Sequence, residues 1–308
     1  MIAINESILT PTGPRLLATL QPGDSVLLHD GLPATIEDLE VHPELQRAWA
    51  FSSLSGSTTF VSEDHCITGC LSMTTGFSYT TTVADYFYEM ENIKYGKTDV
   101  RPTCAPYQPP LYSDLEHFLV SWNAYTRYVF RPFDKGVDNF TLQSFVASLL
   151  AFARWDPTLT RATFIISNCS LPEAMNIVDC GRACGLNVGL NLEYANYIFS
   201  FSGGTLPHFS RFAVDYFEKT VTGAAKNNES FIKNKRYTTA PTPVPVRTVQ
   251  PTPYYSKMAV LTTDRPGGLV NKDYLVITPA EWVDRPVTVV TRDTDTSLLL
   301  YRNKEQDG

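Results

Sequence analysis

Through the first 95 residues the apolar side chains come in short runs: Ser7-Ile8-Leu9-Thr10, Ser25-Val26-Leu27-Leu28, Ala48-Trp49-Ala50-Phe51 and Thr58-Thr59-Phe60-Val61. Turn formers separate them, at Pro11-Thr12-Gly13-Pro14, Pro22-Gly23-Asp24, Asp30-Gly31 and Ser55-Gly56. Short runs with frequent turns predict an all-β unit, because a strand buries alternate residues and a helix needs a longer stripe. Arg101 to Pro110 holds four prolines. Proline lacks the N–H that a ladder needs and restricts the residue before it, so this stretch predicts neither helix nor central strand and marks a first linker.

The pattern then changes period. Ser113 to Ala124 and Leu142 to Ala153 are helix-length and rich in Leu, Phe and Ala, the second followed by the stop Asp156-Pro157. Ala162 to Ser167 reads as a strand. Ser170-Leu-Pro-Glu173 is a capping-box signature opening a helix with Ala174, Ile177, Val178 and Cys184 on one stripe, ended by Gly185. Val188, Leu190 and Leu192 alternate as a strand, and Tyr197 to Phe201 forms another, joined through Glu193-Tyr-Ala-Asn196.

Residues 221–253 are polar and basic, then proline-rich at Ala240-Pro-Thr-Pro-Val-Pro-Val246 and Pro251-Thr-Pro253, and read as a second linker. β patterning returns at Lys257 to Thr262, Tyr274 to Ile277, Val287 to Thr291 and Ser297 to Leu300. An α/β block between two β blocks, each junction rich in proline, predicts an insert within one discontinuous β domain.

Composition narrows the function classes. The chain has 308 residues, 43% hydrophobic and only 19% charged, with 16 Tyr and 17 Phe, enough apolar surface for a real core. A formal charge of −7 provides no overall field to draw the chain onto nucleic acid. No apolar run approaches the ~20 residues of a membrane span, and Met1-Ile-Ala-Ile-Asn-Glu-Ser7 lacks the features of a signal peptide, so the expectation is a cytoplasmic product beginning on its own methionine. The six cysteines, at 66, 70, 104, 169, 180 and 184, are then expected to be reduced thiols in the core. Cys66/Cys70 and Cys180/Cys184 are four apart but are not CxxC, and no zinc site is expected.

Several segments together carry a resemblance. Ile8-Leu-Thr-Pro-Thr-Gly13, Leu17, Leu20, Pro22-Gly-Asp-Ser-Val26 and Asp30-Gly31 resemble the opening of a Hint (hedgehog/intein) domain. Gly56-Ser-Thr-Thr-Phe-Val-Ser-Glu-Asp-His65 resembles the later segment in which a strand leads into T-x-x-H, and Val249 to Thr262 with Tyr274 to Thr278 resemble its closing strands. Phe164 to Asn168, Leu171 to Met175 and Ala183 to Asn187 resemble the strand, short turn and glycine-terminated helix of a LAGLIDADG homing endonuclease. Phe118 to Thr126 and Phe145 to Arg154 stand where that family's first and second motif helices belong. The resemblance implies an α+β chain, a discontinuous all-β Hint-like domain with an inserted mixed α/β LAGLIDADG-like domain. Its parts would be 1–100, the first Hint-like half; 111–220, the insert; 221–253, the linker; and 254–308, the second half with a tail.

The residues that would carry the family's chemistry are largely missing. Splicing requires a Cys or Ser nucleophile at the start of the Hint domain, for an acyl shift, and an Asn at its end that cyclises. No Cys precedes position 66, Ser7 lies too near the Ile8-Leu9-Thr10 strand, and Val276-Ile277-Thr278 runs into Pro279 without an Asn. His65 matches the T-x-x-H histidine, with Ser62 in place of Thr, and is expected to survive as a vestigial residue that supports the fold. Cleavage by the endonuclease family requires an acid at the end of each motif helix to hold divalent ions. The matching positions hold Tyr125, or its neighbour Ala124, and Ala153, with Asp156 as a weak shifted alternative and Asp134 or Asp138 more distant ones. The motif-helix glycines are replaced by Val120, Ser121, Ala147 and Ser148, which keeps small residues for helix packing.

DNA contact would require basic strand faces, and residues 186–201 contain no Lys or Arg. Lys226, Lys233, Lys235 and Arg236 could touch phosphate; a solvated linker is the blander reading and the one adopted. The expectation is a non-catalytic structural or protein-interaction protein on a degenerate intein scaffold, phage-encoded and suited to a virion or another symmetric assembly, with protein partners and no cofactor or metal. The competing reading is a DNA-binding or metal-dependent homing endonuclease.

Overall fold

The computed structural model describes residues 1–53, 56–70, 78–93, 101–116, 131–134, 137–156, 159–212, 244–280 and 289–291. The chain divides into two units, Met1–Tyr107 with Thr242–Val283, and Gln108–Pro241 with Asp284–Gly308. The described residues are mostly β-sheet with few helices, and no helix among them is long and apolar enough to cross a membrane.

The first unit begins with β1 (Ile2–Ala3), β2 (Ser7–Thr10), β3 (Gly13–Leu16), β4 (Ser25–Leu27), β5 (Pro33–Ser53) and β6 (Thr58–Val61). It continues with β7 (Cys66–Cys70), β8 (Ser78–Thr82), the helix α1 (Val83–Ile93) and β9 (Arg101–Cys104). The second unit follows with β10 (Leu111–Tyr112), α2 (Asn139–Ala151), β11 (Arg154–Trp155), β12 (Arg161–Ser167), α3 (Leu171–Ala183), β13 (Asn187–Glu193) and β14 (Asn196–Ser202), then a short helix over 206–212. Strand β15 (Val244–Thr263) belongs to the first unit and β16 (Val289–Val290) to the second.

The main sheet of the first unit runs β4-β5-β6-β1-β15-β9-β7-β8, and a further β5–β15 pairing closes β5, β6, β1 and β15 into a ring. The β5–β15 ladder is antiparallel from Val246↔Ser53 to Thr263↔Ile36. Its inner side chains, among them Ile36, Trp49, Phe51, Val249 and Ala259, join Ile2, Leu17, Val26 and Ile67 in one apolar core. At the closing end, Arg265 donates from both terminal guanidinium nitrogens to Asp30, at 2.7 and 2.9 Å, and from Nη2 and Nε to the Leu32 and Pro33 carbonyls. Such a bidentate, charge-assisted contact fixes orientation as well as distance.

In the second unit α2 is buried along Phe140 and Leu142–Ala151, on every side. Its three polar residues in that run are satisfied within the unit. Gln143 accepts from the Tyr112 N–H and donates to the Pro110 carbonyl, the Ser144 hydroxyl accepts from the Glu116 N–H, and Ser148 donates to the Ser144 carbonyl. The sheet order is β11-β12-β14-β13. Helix α3 lies on this sheet through Gly181, where a Cβ would come within 2.5 Å of Val188 Cγ2 and 3.1 Å of Phe201. The capping box at Ser170 is formed in full, with Glu173 returning to the Ser170 N–H at 2.7 Å.

Several segments differ from their sequence reading. Residues 83–93, read as part of a β-like stretch, form α1; the overlooked signal is Thr82, whose hydroxyl accepts from the Asp85 N–H at 3.0 Å as an N-cap. The first proline run contains a strand that lies between β7 and β15. Pro102 stands opposite Gly69 of β7, while the β15 side of β9 uses only Thr103 and Cys104, so the missing N–H of Pro102 interrupts nothing on that side. The second linker, 221–253, ends in strand from Val244 onward. Pro245 and Pro251 take regular ladder places opposite Thr103 and Trp49, and the ladder shifts register between Pro251 and Tyr255, leaving Pro253 opposite no partner. Residues 113–116 are not helical, and the rest of the helix read over Ser113 to Ala124 lies outside the described residues. Tyr274 to Ile277 contributes a single bridge, Val270↔Val276, in place of a strand.

Two substitutions test these anchors by thermal or urea unfolding. Ser170→Ala removes the cap of α3 and is expected to cost about 1 kcal/mol. Arg265→Met removes the fork to Asp30 and both carbonyl contacts, with an expected loss of about 2 kcal/mol.

Candidate functional site

The turn after β6 places one imidazole in the core of the first unit. Val61 ends the strand, His65 N donates to the Ser62 carbonyl at 3.2 Å, and β7 starts at Cys66. This tight reversal sends the His65 ring inward, where it is 3% exposed and stacks on Phe51 with centroids 6.2 Å apart.

The ring bridges two distant backbone segments. Its Nε2 lies 2.6 Å from the Ile277 carbonyl oxygen, and its Nδ1 lies 3.4 Å from the Met1 amino group. A carbonyl only accepts, so Nε2 carries the proton and Nδ1 is left to accept from Met1. Burial pushes the His65 pKa down from the ordinary 6.5 to about 4, and the neighbouring Met1 charge acts in the same direction. Burial also lowers the Met1 amine, opposed by the charges of Asp64 and Cys66. The ring is therefore neutral near pH 7.

The surrounding groups hold this geometry. Ser62 N donates to the Met1 carbonyl at 3.0 Å, the Ser62 hydroxyl donates to Asp64, and Asp64 stands 4.0 Å from the Met1 amine. On the other side Ile277 N donates to the Leu269 carbonyl at 2.8 Å, and the Thr278 hydroxyl accepts from Leu269 N at 2.8 Å. Those two segments approach closely at Gly268, where a Cβ would collide with Val276 and come within 3.0 Å of the Thr278 carbonyl oxygen. A side chain there would push Ile277 away from the imidazole.

Chemically, this arrangement can position the start of the chain and polarise the Ile277 carbonyl by one hydrogen bond. The side chains at the two bridged points, a Met1 thioether and an Ile277 hydrocarbon 2% exposed, offer neither a nucleophile nor an amide that could cyclise. Cys66 is exposed, its thiol 3.9 Å from the Asp64 carbonyl oxygen.

The other residues singled out in the sequence are elsewhere. Ala153 is 1% exposed just beyond α2, whereas Tyr125 and Ala124 lie outside the described residues. The Asp156 carboxylate accepts from Thr160 N, Thr160 Oγ1 and Arg161 N, so it is used in the turn between β11 and β12. Asp138 caps α2, and Asp134 accepts from Arg131 N at 3.2 Å. Lys226, Lys233, Lys235 and Arg236 lie outside the described residues. Cys104, Cys180 and Cys184 are buried, but Cys66 is exposed and Cys169 intermediate, which corrects the expectation that the thiols are core residues. Among the described residues no cluster of His, Cys, Asp and Glu could hold a metal ion. The sequence reading missed Met1 and Ile277 as partners of His65, because nothing within a few residues of His65 points to either.

No protein-family model matches the chain, and no curated protein matches it significantly. Among solved structures it is similar to the MchDnaB-1 intein, in its N145AA form, with 20% identity over 27% of this chain and 59% of that one and a TM-score of 0.23. It is also similar to the Msm DnaB1 intein splicing domain bound with zinc, with 16% identity over 28% of this chain and 62% of that one and a TM-score of 0.22. The chain thus spans about three-fifths of the length of the solved structures it matches. At these TM-scores the likeness carries no argument.

The titration of His65 gives a test. The unfolded ring takes its proton near pH 6.5 and the folded ring near 4, so the stability of the neutral ring is fully present above about pH 6.5. It is lost as the pH falls toward 4, by about 3 kcal/mol in all. His65→Gln keeps an N–H for the Ile277 carbonyl but does not titrate. In urea melts between pH 7 and pH 4 the wild type should lose about 3 kcal/mol relative to this variant. A pH-independent difference would contradict a buried neutral ring.

Proposed function

We propose that the chain is a non-catalytic protein on an intein-like scaffold, a Hint-like β domain interrupted by a LAGLIDADG-like insert, acting through protein–protein contact. The observation that carries this reading is the identity of the two residues whose backbone atoms flank His65. The imidazole is held between two backbone points, as a splicing histidine would need to be, but Met1 has no acyl-accepting nucleophile and Ile277 has no carboxamide. The hydrocarbon side chain of Ile277 cannot attack the polarised carbonyl.

The insert reading draws support from the order of β12, a three-residue turn, α3 and Gly185, which adopts φ 77°. The absence of nuclease chemistry is supported by Ala153 just beyond α2 and by Asp156, whose oxygens are occupied by the turn. A carboxylate already bonded by three donors is a poor ligand for a divalent cation, which requires free oxygens at short range. A host-cell cytoplasmic, phage-encoded product that becomes part of a virion fits a scaffold kept for its shape and not for its reaction.

Expression between two reporter proteins should yield only the unspliced precursor by mass spectrometry. A ligated reporter product would overturn the reading. With magnesium or manganese the protein should leave a supercoiled plasmid intact; metal-dependent nicking abolished by Asp156→Ala would establish the nuclease alternative. The partner-binding role predicts co-sedimentation with a particle or a symmetric assembly.

A further inference from the structure

Strand β13 is paired on one side only. It meets β14 from Asn187↔Ser202 to Glu193↔Asn196 without a register shift, and in the order β11-β12-β14-β13 it is the outermost strand. Among the described residues no strand pairs with its outer side. Exposed edges template pairing with another chain, and proteins usually blunt them with charge, proline or a bulge. The outer stretch of β5 shows this protection, with Glu37, Asp38, Glu40, Pro43 and Glu44. The opposite edge of the second unit's sheet, β11, is only two residues long. By contrast β13, Asn-Val-Gly-Leu-Asn-Leu-Glu, is seven residues with no proline and no basic residue, and its single charge is at the last position.

The strand is also complementary to itself. Val188, Leu190 and Leu192 share the face toward α3, where Val188 is buried and Leu192 remains 58% exposed. Asn187, Gly189, Asn191 and Glu193 share the other face. Laid antiparallel on a second copy in the register that uses all seven residues, Leu190 meets its own equivalent and Val188 meets Leu192. On the polar face Asn191 meets Gly189, and Asn187 meets Glu193. Every pair matches in polarity and no like charges oppose each other, which cross-strand pairing requires. A slip by one residue would set Leu against Asn and reverse both faces. For a chain of net charge −7, this stretch, uncharged from Asn187 to Leu192 and with Glu193 opposite Asn187, is where two copies can approach without like charges facing each other.

We propose that β13 is a homotypic pairing edge through which two copies of the chain join their four-stranded sheets across a two-fold axis. The pairing is isologous, since the same residues serve on both sides. It rests on the protein-contact role proposed above and names the partner. Main-chain hydrogen bonds supply the affinity, the Leu192 N–H exchanging its present acceptor, Asn191 Oδ1 at 2.9 Å, for the facing Val188 carbonyl, and the alternating side chains set the register.

Sedimentation equilibrium of the full chain should report a dimer. The double variant Gly189→Lys with Asn191→Lys sets lysine opposite lysine twice and should sediment as a monomer, as should Gly189→Glu with Asn191→Glu. At Gly189 the added Cβ has only ordinary contacts with Ser200, at 3.9 and 4.0 Å, so the fold tolerates it. Mixing the two variants pairs lysine with glutamate and should restore a mixed dimer, which only folded chains in this register can form. A monomeric wild type, a dimer untouched by either double variant, or a mixture that stays monomeric would each overturn the proposal. Reporter ligation or plasmid nicking would instead overturn the non-catalytic role, so the two failures are told apart.

Discussion

The antiparallel ladder between β5 and β15 is the constraint on which the first unit depends. Its strands, Pro33–Ser53 and Val244–Thr263, are separated by most of the chain, and pairing them has to close that loop. The length-dependent part of that closure is about 5 kcal/mol. Burial of Ile36, Trp49, Phe51, Val249 and Ala259 in one core offsets it, since fully burying an aliphatic or aromatic side chain contributes about 1.5–3 kcal/mol. Once the ladder is formed, β1 and β6 can complete the ring, and Arg265 reaches Asp30 to lock its end.

The His65 centre is a consequence of that closure. Met1 enters beside β6 because β1 is held between β6 and β15, and Ile277 arrives because the chain beyond β15 turns back over Gly268. The imidazole then ties a residue near the start of the chain to one 276 positions away, without exposure to solvent. A buried ring with both nitrogens satisfied is a stable structural element whatever its ancestry, and its lowered pKa follows from the same burial.

Legibility in the sequence followed the range of the interaction. The capped helix α3 and the β13–β14 hairpin could be read directly because their determinants lie within a few residues: Ser170 with Glu173, and the alternation Val188, Leu190, Leu192. Helix α1 carried an equally local signal in Thr82 and Asp85 that was hidden by the β-like composition around it. The proline-rich runs misled for a different reason. A proline forbids a ladder bond only if a partner strand needs its N–H: the β15 ladder stops at Thr103, short of Pro102, which faces only Gly69 of β7, and it shifts register at Pro253. That condition belongs to the pairing and not to the local sequence. In the site, the Ser62 to His65 spacing singled out the histidine, while its partners stayed invisible because contacts across more than 60 and 200 residues leave no periodicity to detect.

The sequence alone therefore determined the short strands, the capped helix, the hairpin, and which chemical groups are absent: no Cys before position 66 and no Asn at 277. Tertiary structure alone decided that β5 pairs with β15, that prolines sit within strands, and that His65 lies between Met1 and Ile277. The division has one physical cause. Caps, turns and alternation act between neighbours along the chain, whereas a long-range ladder and a buried bridge exist only after loop closure has brought distant segments together, at a cost repaid by the core they share.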